Sequence, residues 1–525
     1  MPQFLPLLVV LACYACAAPT YPADEPPPHI IFHLADDLGW HNVGWSGNQE
    51  ARTPHLDELA MSGVRVERLY TFKYCSPTRS SIMSGRLPHH VTQNNHNNNI
   101  LNPGGADLRM TLLPATLKKS GYATAMTGKW HVGARSAANL PINRGFDSHL
   151  GFLKGGEDHY SQHSRDVGGV SVDLWRDQAP AYGLNGTHSV YLYGGEAVRV
   201  IHAHAASSTA PLFMYIAWQA AHTPLEAPPG FHVPAKNDTK KGTRARMNGL
   251  VAALDEGVAN VTKALKATGM WDNTLVVFQA DNGGWLETSD EGGNNYPLRG
   301  GKSSDFEGGV RARSFMHGGF LETRYPNLTG TVNTGLMHSA DWYATFVHLA
   351  GGVMPVDDRA VPACDSVNVW DSLSTANATR SARTSVVLAW CNEEAECGKT
   401  GIDSLGDAAL IAHSGRYKIV NGTQRGFGFY QGALFPNAST PQDPGATGIG
   451  LDCSAGCLFD LFEDPNETTN LKDAQPAVFQ ELLGMLLAAA ETQFQTNYTG
   501  SADTCVAVPQ YVEEHHGFIG PPCHV

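Results

Sequence analysis

Apolar residues in this chain fall alternately into short unbroken runs and into longer stretches spaced every three or four positions. Residues 29–34, His-Ile-Ile-Phe-His-Leu, form an unbroken run that predicts a buried strand, ending in Ala35-Asp36-Asp37. Thr53-Pro54 opens a helix through Met61 that Gly63 stops, and Val64 to Tyr70 returns as a strand. Leu112 to Ser120 predicts a helix, with Gly121 after it, and Ala123 to Gly128 a strand. The pattern continues with a helix around Val190 to Ala206, a strand at Leu212 to Trp218, and a long amphipathic helix from about Thr243 to Ala267. A strand at Thr274 to Ala280 runs into Asp281-Asn282-Gly283-Gly284, and Ser339 to Ala350 is a further helix. Such alternation predicts an α/β fold, a mostly parallel sheet covered by helices on both faces. After about Arg383 the texture changes to short strands (Val386 to Trp390, Ala409 to His413, Tyr417 to Val420, Cys457 to Phe462) and one helix, Ala477 to Gln493. That pattern predicts a small antiparallel sheet with a packed helix. The expected organisation is a leader over 1–17, a large domain over 18–383 and a small α+β domain over 384–525. Asn94 to Asn99 reads as a short Asn-rich loop.

Length and composition add limits. A chain of 525 residues exceeds what one core serves, and 42% hydrophobic with 16% charged residues marks a globular protein. The net charge of -14 argues against nucleic acid as partner and gives no general pull on anions, so any anion site must be built locally. Phe4 to Cys16 is a short apolar run and Ala15-Cys16-Ala17 fits a small-x-small cleavage site, which predicts a signal peptide, although no Lys or Arg precedes the run. No later stretch has the apolar length of a membrane span. N-x-Ser/Thr acceptors at Asn185, Asn237, Asn260, Asn327, Asn377, Asn421, Asn437, Asn466 and Asn497 agree with export. Of the ten cysteines, Cys13 and Cys16 lie in the leader. Cys391 with Cys397, Cys453 with Cys457 and Cys505 with Cys523 are local pairs, and Cys364 is then left over if Cys75 stays free. Parity alone would instead place Cys75 in a disulfide.

Candidate chemistry concentrates at the ends of the predicted strands, where open α/β sheets place their ligands. Asp36-Asp37 and Asp281-Asn282 offer the oxygen donors a hard divalent cation needs, although Asp and Asn also serve as ordinary turn residues. Lys129, Trp130 and His131 follow the strand ending at Gly128, and His222 lies just past the one ending at Trp218. Lys302, in Leu298-Arg299-Gly300-Gly301-Lys302, has glycine neighbours that permit close approach to a ligand. Cys75 sits in Cys-Ser-Pro-Thr-Arg-Ser-Ser-Ile-Met-Ser-Gly-Arg, residues 75–86, too polar for a strand. Pro77 suits the first position of a helix, so Cys75 is expected at its N-terminus, with Arg79 one turn on adding a fixed charge.

The segment from Cys75 to Arg86 resembles the type I sulfatase signature, with Met83 and Ser84 in place of the usual leucine and threonine. The Gly128-Lys129-Trp130-His131 tetrapeptide and the two acidic strand ends are similar to that family as well. Gly121 to Thr124, Arg144 to Asp147, Gly156 to Ser161, and Gly293 to Gly300 look closest to the arylsulfatase B group. Leu461 to Leu471 resembles the family's C-terminal strand-turn. The resemblance implies an alkaline-phosphatase-like fold: a large mixed, mostly parallel sheet flanked by helices, with a smaller C-terminal antiparallel sheet and helix. It implies that Cys75 is oxidised to formylglycine by the formylglycine-generating enzyme, and that one calcium ion is held by Asp36, Asp37, Asp281, Asn282 and residue 75. By the same resemblance Arg79, Lys129, His131, His222 and Lys302 serve a sulfate ester, carbohydrate or aryl, in a lysosomal or extracellular protein. N-acetylgalactosamine 4-sulfate is the substrate associated with the arylsulfatase B group. The three carboxylates and three cations cancel, so calcium would leave the pocket net positive. A phosphate-ester hydrolase of the same architecture and a glycoprotein that binds sulfated glycans without turnover are the alternatives.

Overall fold

The computed structural model describes residues 25–93, 95, 100–101, 105–166, 169–231, 233, 243–286, 292–375, 380–390, 407–422, 424, 452–494 and 505–523. The leader, the Cys391 and Cys397 pair, and the Asn-rich run apart from Asn95 lie outside them.

Ten strands make the large sheet: β1 (His29–Ala35), β2 (Val64–Val66), β3 (Ala123–Gly128), β4 (Ser148–Gly151), β5 (Trp175–Arg176), β6 (Ala179–Pro180), β7 (Leu212–Ala217), β8 (Thr274–Ala280), β9 (Ser314–His317) and β10 (Val332–Asn333). Their spatial order is β10-β2-β9-β8-β1-β7-β3-β4-β5-β6. The central strands β8, β1, β7, β3 and β4 are parallel, and antiparallel pairs flank them. Two helix layers cover the sheet. One is α1 (Pro54–Ser62) with α4 (Ser189–Ser207) and α5 (Thr243–Ala267); the other is α2 (Cys75–Ser84) with α3 (Leu113–Lys119) and α6 (Asp341–Leu349). Successive side chains of a strand point to opposite faces, and β1 uses both. Phe32 meets Trp342 and Phe346 of α6, while His33 stacks on Trp218, which packs against Gly194 of α4 and Gly257 of α5.

Register makes the central strands end level. Leu34 pairs with Ala217, Ala35 with Ala280, and Ala217 with Gly128. Asp36, Asp281 and Lys129, each the next residue of its own chain segment, therefore emerge along one edge. A second, four-stranded antiparallel sheet, β11 (Val386–Trp390), β12 (Ala408–Ala412), β13 (Tyr417–Gly422) and β14 (Cys453–Asp460), carries helix α7 (Pro476–Ala490) through Phe479, Leu482, Leu483 and Leu486. Its other face joins the first unit through Val386, Leu388, Ile411, Val420 and Phe459 against Tyr70, Phe306, Val310 and Leu336. Lys418 of β13 is buried in that seam, 3.0 Å from Glu307 and 2.9 Å from Glu467.

The predicted α/β class and small antiparallel sheet are present. Three local expectations change. Val64 to Tyr70 is two short strands, Val64–Val66 in the large sheet and Leu69–Tyr70 beside Met337–His338. Helix α2 begins at Cys75 itself, two residues before Pro77, because the first turn needs no intrahelical N-H partner and tolerates proline there. The last strand starts at Cys453 and stops at Asp460, leaving Phe462 exposed. Cys453–Cys457 and Cys505–Cys523 are bonded, while Cys75 and Cys364 are free, so the disulfide that parity favoured for Cys75 does not form.

Candidate active site

All ten residues of α2 are buried, an unusual place for Ser76, Thr78, Arg79, Ser80 and Ser81. The helix points its first residue at the sheet edge. Cys75 Sγ lies 3.4 Å from Asp36 Oδ1 and 3.9 Å from Asp37 Oδ1. Arg79, one turn on, donates to Asp281 Oδ2 through Nε at 3.0 Å and through a terminal nitrogen at 2.8 Å, and its other terminal nitrogen donates to the Lys129 carbonyl at 3.0 Å. The guanidinium is thus a clamp between β8, β3 and the helix.

The strand ends turn sharply to deliver their side chains. Asp37 and His131 hold φ of 57° and 53°, a left-handed conformation that non-glycine residues adopt chiefly where surrounding contacts fix it. Gly128 sits at φ 90°, where a Cβ would lie 1.9 Å from the Ala217 carbonyl oxygen; only glycine lets β3 hand over to Lys129 beside β7. Lys129 Nζ then donates to Asp36 Oδ2 at 2.5 Å, and Lys302 Nζ to Asp37 Oδ2 at 2.7 Å. Asn282 Nδ2 donates to Asp37 Oδ1 at 2.8 Å, and the Asp37 amide to Asp281 Oδ1 at 3.1 Å. His222 Nε2 is 3.7 Å from Asp37 Oδ2.

Burial and charge set the protonation states. Burial, then the Asp281 and Asp36 carboxylates, push the Cys75 thiol well above its ordinary range, so it stands as a neutral S-H. Burial and Asp36 also raise Asp281 to about 6, against the pull of Arg79. Burial alone would raise Asp37 too, but the Lys302 and Lys129 ammonium groups outweigh it and hold that carboxyl well below its usual value. Burial, reinforced by Lys302, depresses His222 to about 3; its contact with Asp37 is therefore not an ion pair in the free site. Its Nδ1 donates to the Thr223 carbonyl at 2.7 Å, leaving Nε2 bare. His131 is likewise depressed well below its normal value by burial and by Lys129, Arg79 and Lys302, and neither ring nitrogen has a hydrogen-bond partner among the described residues.

The donor set fits a hard cation. One ligand atom from each of Asp36, Asp37, Cys75 and Asp281 lies within 4.8 Å of the others, and Asn282 Oδ1 is buried with no hydrogen-bond partner among the described residues. Three carboxylates and an amide oxygen, with no histidine among them, suit calcium or magnesium far better than zinc. Asp36, Asp37, Cys75, Arg79, Lys129, His131, His222, Asp281, Asn282 and Lys302 thus converge on one pocket, whereas the Trp130 indole turns away to donate to the Gly133 and Asn139 carbonyls at 3.0 Å. The pocket's supports lie outside the residues to which the sequence assigns a role. Asn295 Oδ1 accepts from the Gly284 amide at 2.9 Å and its Nδ2 donates to the carbonyls of Gly284 and Gly300, tying the β8 turn to the loop of Lys302. His159 Nε2 donates to the His222 carbonyl at 3.0 Å. The Gly156 to Ser161 motif was the available signal for His159.

An alkaline-phosphatase-like sheet whose parallel strands end level, with acidic pairs, buried cations and a helix N-terminus gathered at that edge, defines a hydrolase of anionic esters. Comparison gives the particular family: the profile described as Sulfatase matches residues 28–353, and the chain belongs to the sulfatase family, enzymes hydrolysing sulfate esters. It is 32% identical to arylsulfatase J of Mus musculus over 485 residues, 90% of this chain and 77% of that one. It is 31% identical to N-acetylgalactosamine-6-sulfatase of Rattus norvegicus over 69% of this chain and 68% of the relative. Among solved structures, Ps i-CgsB in complex with k-i-k-neocarrahexaose superimposes with a TM-score of 0.72 at 25% identity, covering 91% of this chain and 96% of that one.

Proposed function

We propose that the protein is a calcium-dependent sulfatase whose residue 75 works as formylglycine, acting on a sulfated carbohydrate of the N-acetylgalactosamine sulfate class. One observation carries the reading: Cys75, first residue of a buried helix, points its Sγ at the Asp36 and Asp37 carboxylates inside a ring of three acids and three cations. A thiol held neutral there is a poor nucleophile, and Sγ stands in for the oxygens of the oxidised residue. Oxidised by a formylglycine-generating enzyme, residue 75 would supply as its hydrate one hydroxyl to attack sulfur and a second whose proton loss releases sulfate. Asp36, Asp37, Asp281 and Asn282 would hold the calcium, which supplies positive charge against the sulfate oxygens.

The chain's own groups supply the rest. Lys129 and Lys302 aim ammonium groups into the pocket, where fixed cations stabilise charge that develops on the transferring group. Asp281 takes the proton of the attacking hydroxyl. His222 or Lys302 protonates the departing alcohol, and of the two Lys302 carries its proton in the free site, because Asp37 holds it charged against the cost of burial. His131, neutral and with both nitrogens free of hydrogen-bond partners among the described residues, accepts the proton of the second hydroxyl. Arg79 anchors Asp281.

The substrate class rests on the Gly156 to Ser161 and Gly293 to Gly300 stretches, and on relatives named for N-acetylgalactosamine sulfate. Export is supported by the leader pattern and by exposed acceptors at Asn185, Asn260 and Asn327, and among the described residues no helix is long and apolar enough to cross a membrane. A division at residue 383 agrees with the small sheet beginning at Val386. The test is release of sulfate against phosphate from the 4-nitrophenyl esters and from N-acetylgalactosamine 4- and 6-sulfates. Sulfate turnover well above phosphate turnover is expected, and the reverse order would overturn the reading.

A further inference from the structure

Trp285 stands where the leaving group of such an ester must go. It follows directly on the turn that carries Asp281 and Asn282, and its indole is half-buried, while the Lys302 and His222 side chains it meets are only 5% and 12% exposed. Lys302 Nζ lies 4.8 Å from the centre of the Trp285 ring, and the His222 ring is 6.4 Å away at 49° to it. The backbone is pinned: the Trp285 carbonyl accepts from the Gly293 amide at 3.2 Å, and Gly284 just before it is held at both N-H and C=O by Asn295 at 2.9 Å. On another side His222 is closed by bare backbone, since a Cβ on Gly156 would lie 3.0 Å from His222 Cε1.

The departing oxygen must come within hydrogen-bond reach of Lys302 or His222 to receive its proton. The carbon that bears it therefore lies beside the indole that touches both. A flat aromatic wall at a fixed place gains most from a flat partner or from the C-H face of a sugar ring, and least from a flexible alkyl chain that pays entropy to lie against it. Building on the sulfatase reading above, we propose that Trp285 is the stacking wall of the leaving-group pocket and selects sulfates borne on a six-membered ring, pyranose or aryl.

The test is steady-state kinetics of the mature full-length enzyme and its Trp285→Leu and Trp285→Phe variants on N-acetylgalactosamine 4-sulfate and on 4-nitrophenyl sulfate, with inorganic sulfate as competitive inhibitor. Trp285→Leu is expected to raise KM about tenfold on at least one ring ester while kcat stays within about threefold, and Trp285→Phe to restore KM to within about threefold. The inhibition constant of inorganic sulfate, which has no leaving group, is expected to stay within about threefold in both. A KM rise confined to the sugar assigns the wall to a pyranose, and one confined to the aryl ester to an aromatic ring. An unchanged KM in Trp285→Leu, or a KM and a sulfate inhibition constant that rise together, would overturn the proposal, the latter because Trp285 would then act only through Lys302. Wild-type enzyme that releases no sulfate from any ester would sink the site reading and this proposal with it, whereas normal wild-type turnover with an unshifted KM sinks the wall alone.

Discussion

Removing Arg79 isolates what the buried clamp contributes. Its terminal nitrogen is 2.8 Å from Asp281 Oδ2 and 3.6 Å from Asp36 Oδ2, and both partners are wholly buried. At an effective dielectric near 20 a pair at that distance attracts by about 6 kcal/mol, much of which offsets the desolvation of the two ions. Arg79→Met leaves the Asp281 charge uncompensated, which costs about 3–5 kcal/mol in buried pairs of this kind. Burial and Asp36 already hold Asp281 near 6, so loss of Arg79 drives it higher still and the carboxyl answers by taking up a proton. Asp281→Asn alone strands Arg79 but leaves it Asp36, so its cost should be nearer about 2–3 kcal/mol. The double variant removes both ends of the pair and should cost less than the sum, with a coupling of about 2–3 kcal/mol. Urea unfolding of the four proteins in a chelator, where no metal contributes, measures the cycle. A coupling under about 0.5 kcal/mol would refute the claim that these groups form one buried unit.

Further outcomes follow from the same geometry. Calcium should raise the melting temperature of chelated protein, by about 2.7 kcal/mol of stability at one hundred times its dissociation constant, and Asn282→Ala should weaken calcium binding measured by calorimetry by about tenfold or more. His33 accepts from Trp218 Nε1 at 3.1 Å and burial lowers it from 6.5 to about 3, so its contribution is complete above pH 6.5 and is lost progressively as pH falls from 6.5 toward 3. At pH 5 the loss is about 2 kcal/mol, and His33→Gln should flatten the acid limb of urea-derived stability by that amount while being less stable than wild type at pH 7.5. Peptide mapping of exported protein should find glycan on Asn185, Asn260 and Asn327, which are exposed, and none on Asn421, which is fully buried in β13.

The legible part of the fold was what local pattern carries. Residues 30–34 and 274–280 are buried on both faces, and a largely apolar run followed by acids says so directly. If such strands belong to one parallel sheet their ends share an edge, so the sequence places Asp36, Asp281 and Lys129 together on that condition, and the level register that meets it is a property of the fold. Short strands were not legible. Ser314–His317 gains its place beside β8 from non-local pairing, and Glu67 and Arg68 break the strand expected over 64–70 so that its two halves join different sheets. The site's supports were hidden for the same reason. Asn295 and Trp285 matter through side chains that reach across a loop to Gly300 and Lys302, a relation that no spacing in the sequence encodes.

Residue 75 carries the central claim, and its mass reads it directly. In protein from a host that exports and matures it, the peptide containing residue 75 should be lighter by about 18 Da than its sequence requires, sulfur and two hydrogens having been replaced by one oxygen, and the converted fraction should rise in step with sulfate released per mole of enzyme. An unmodified thiol at residue 75 in fully active enzyme would contradict the account.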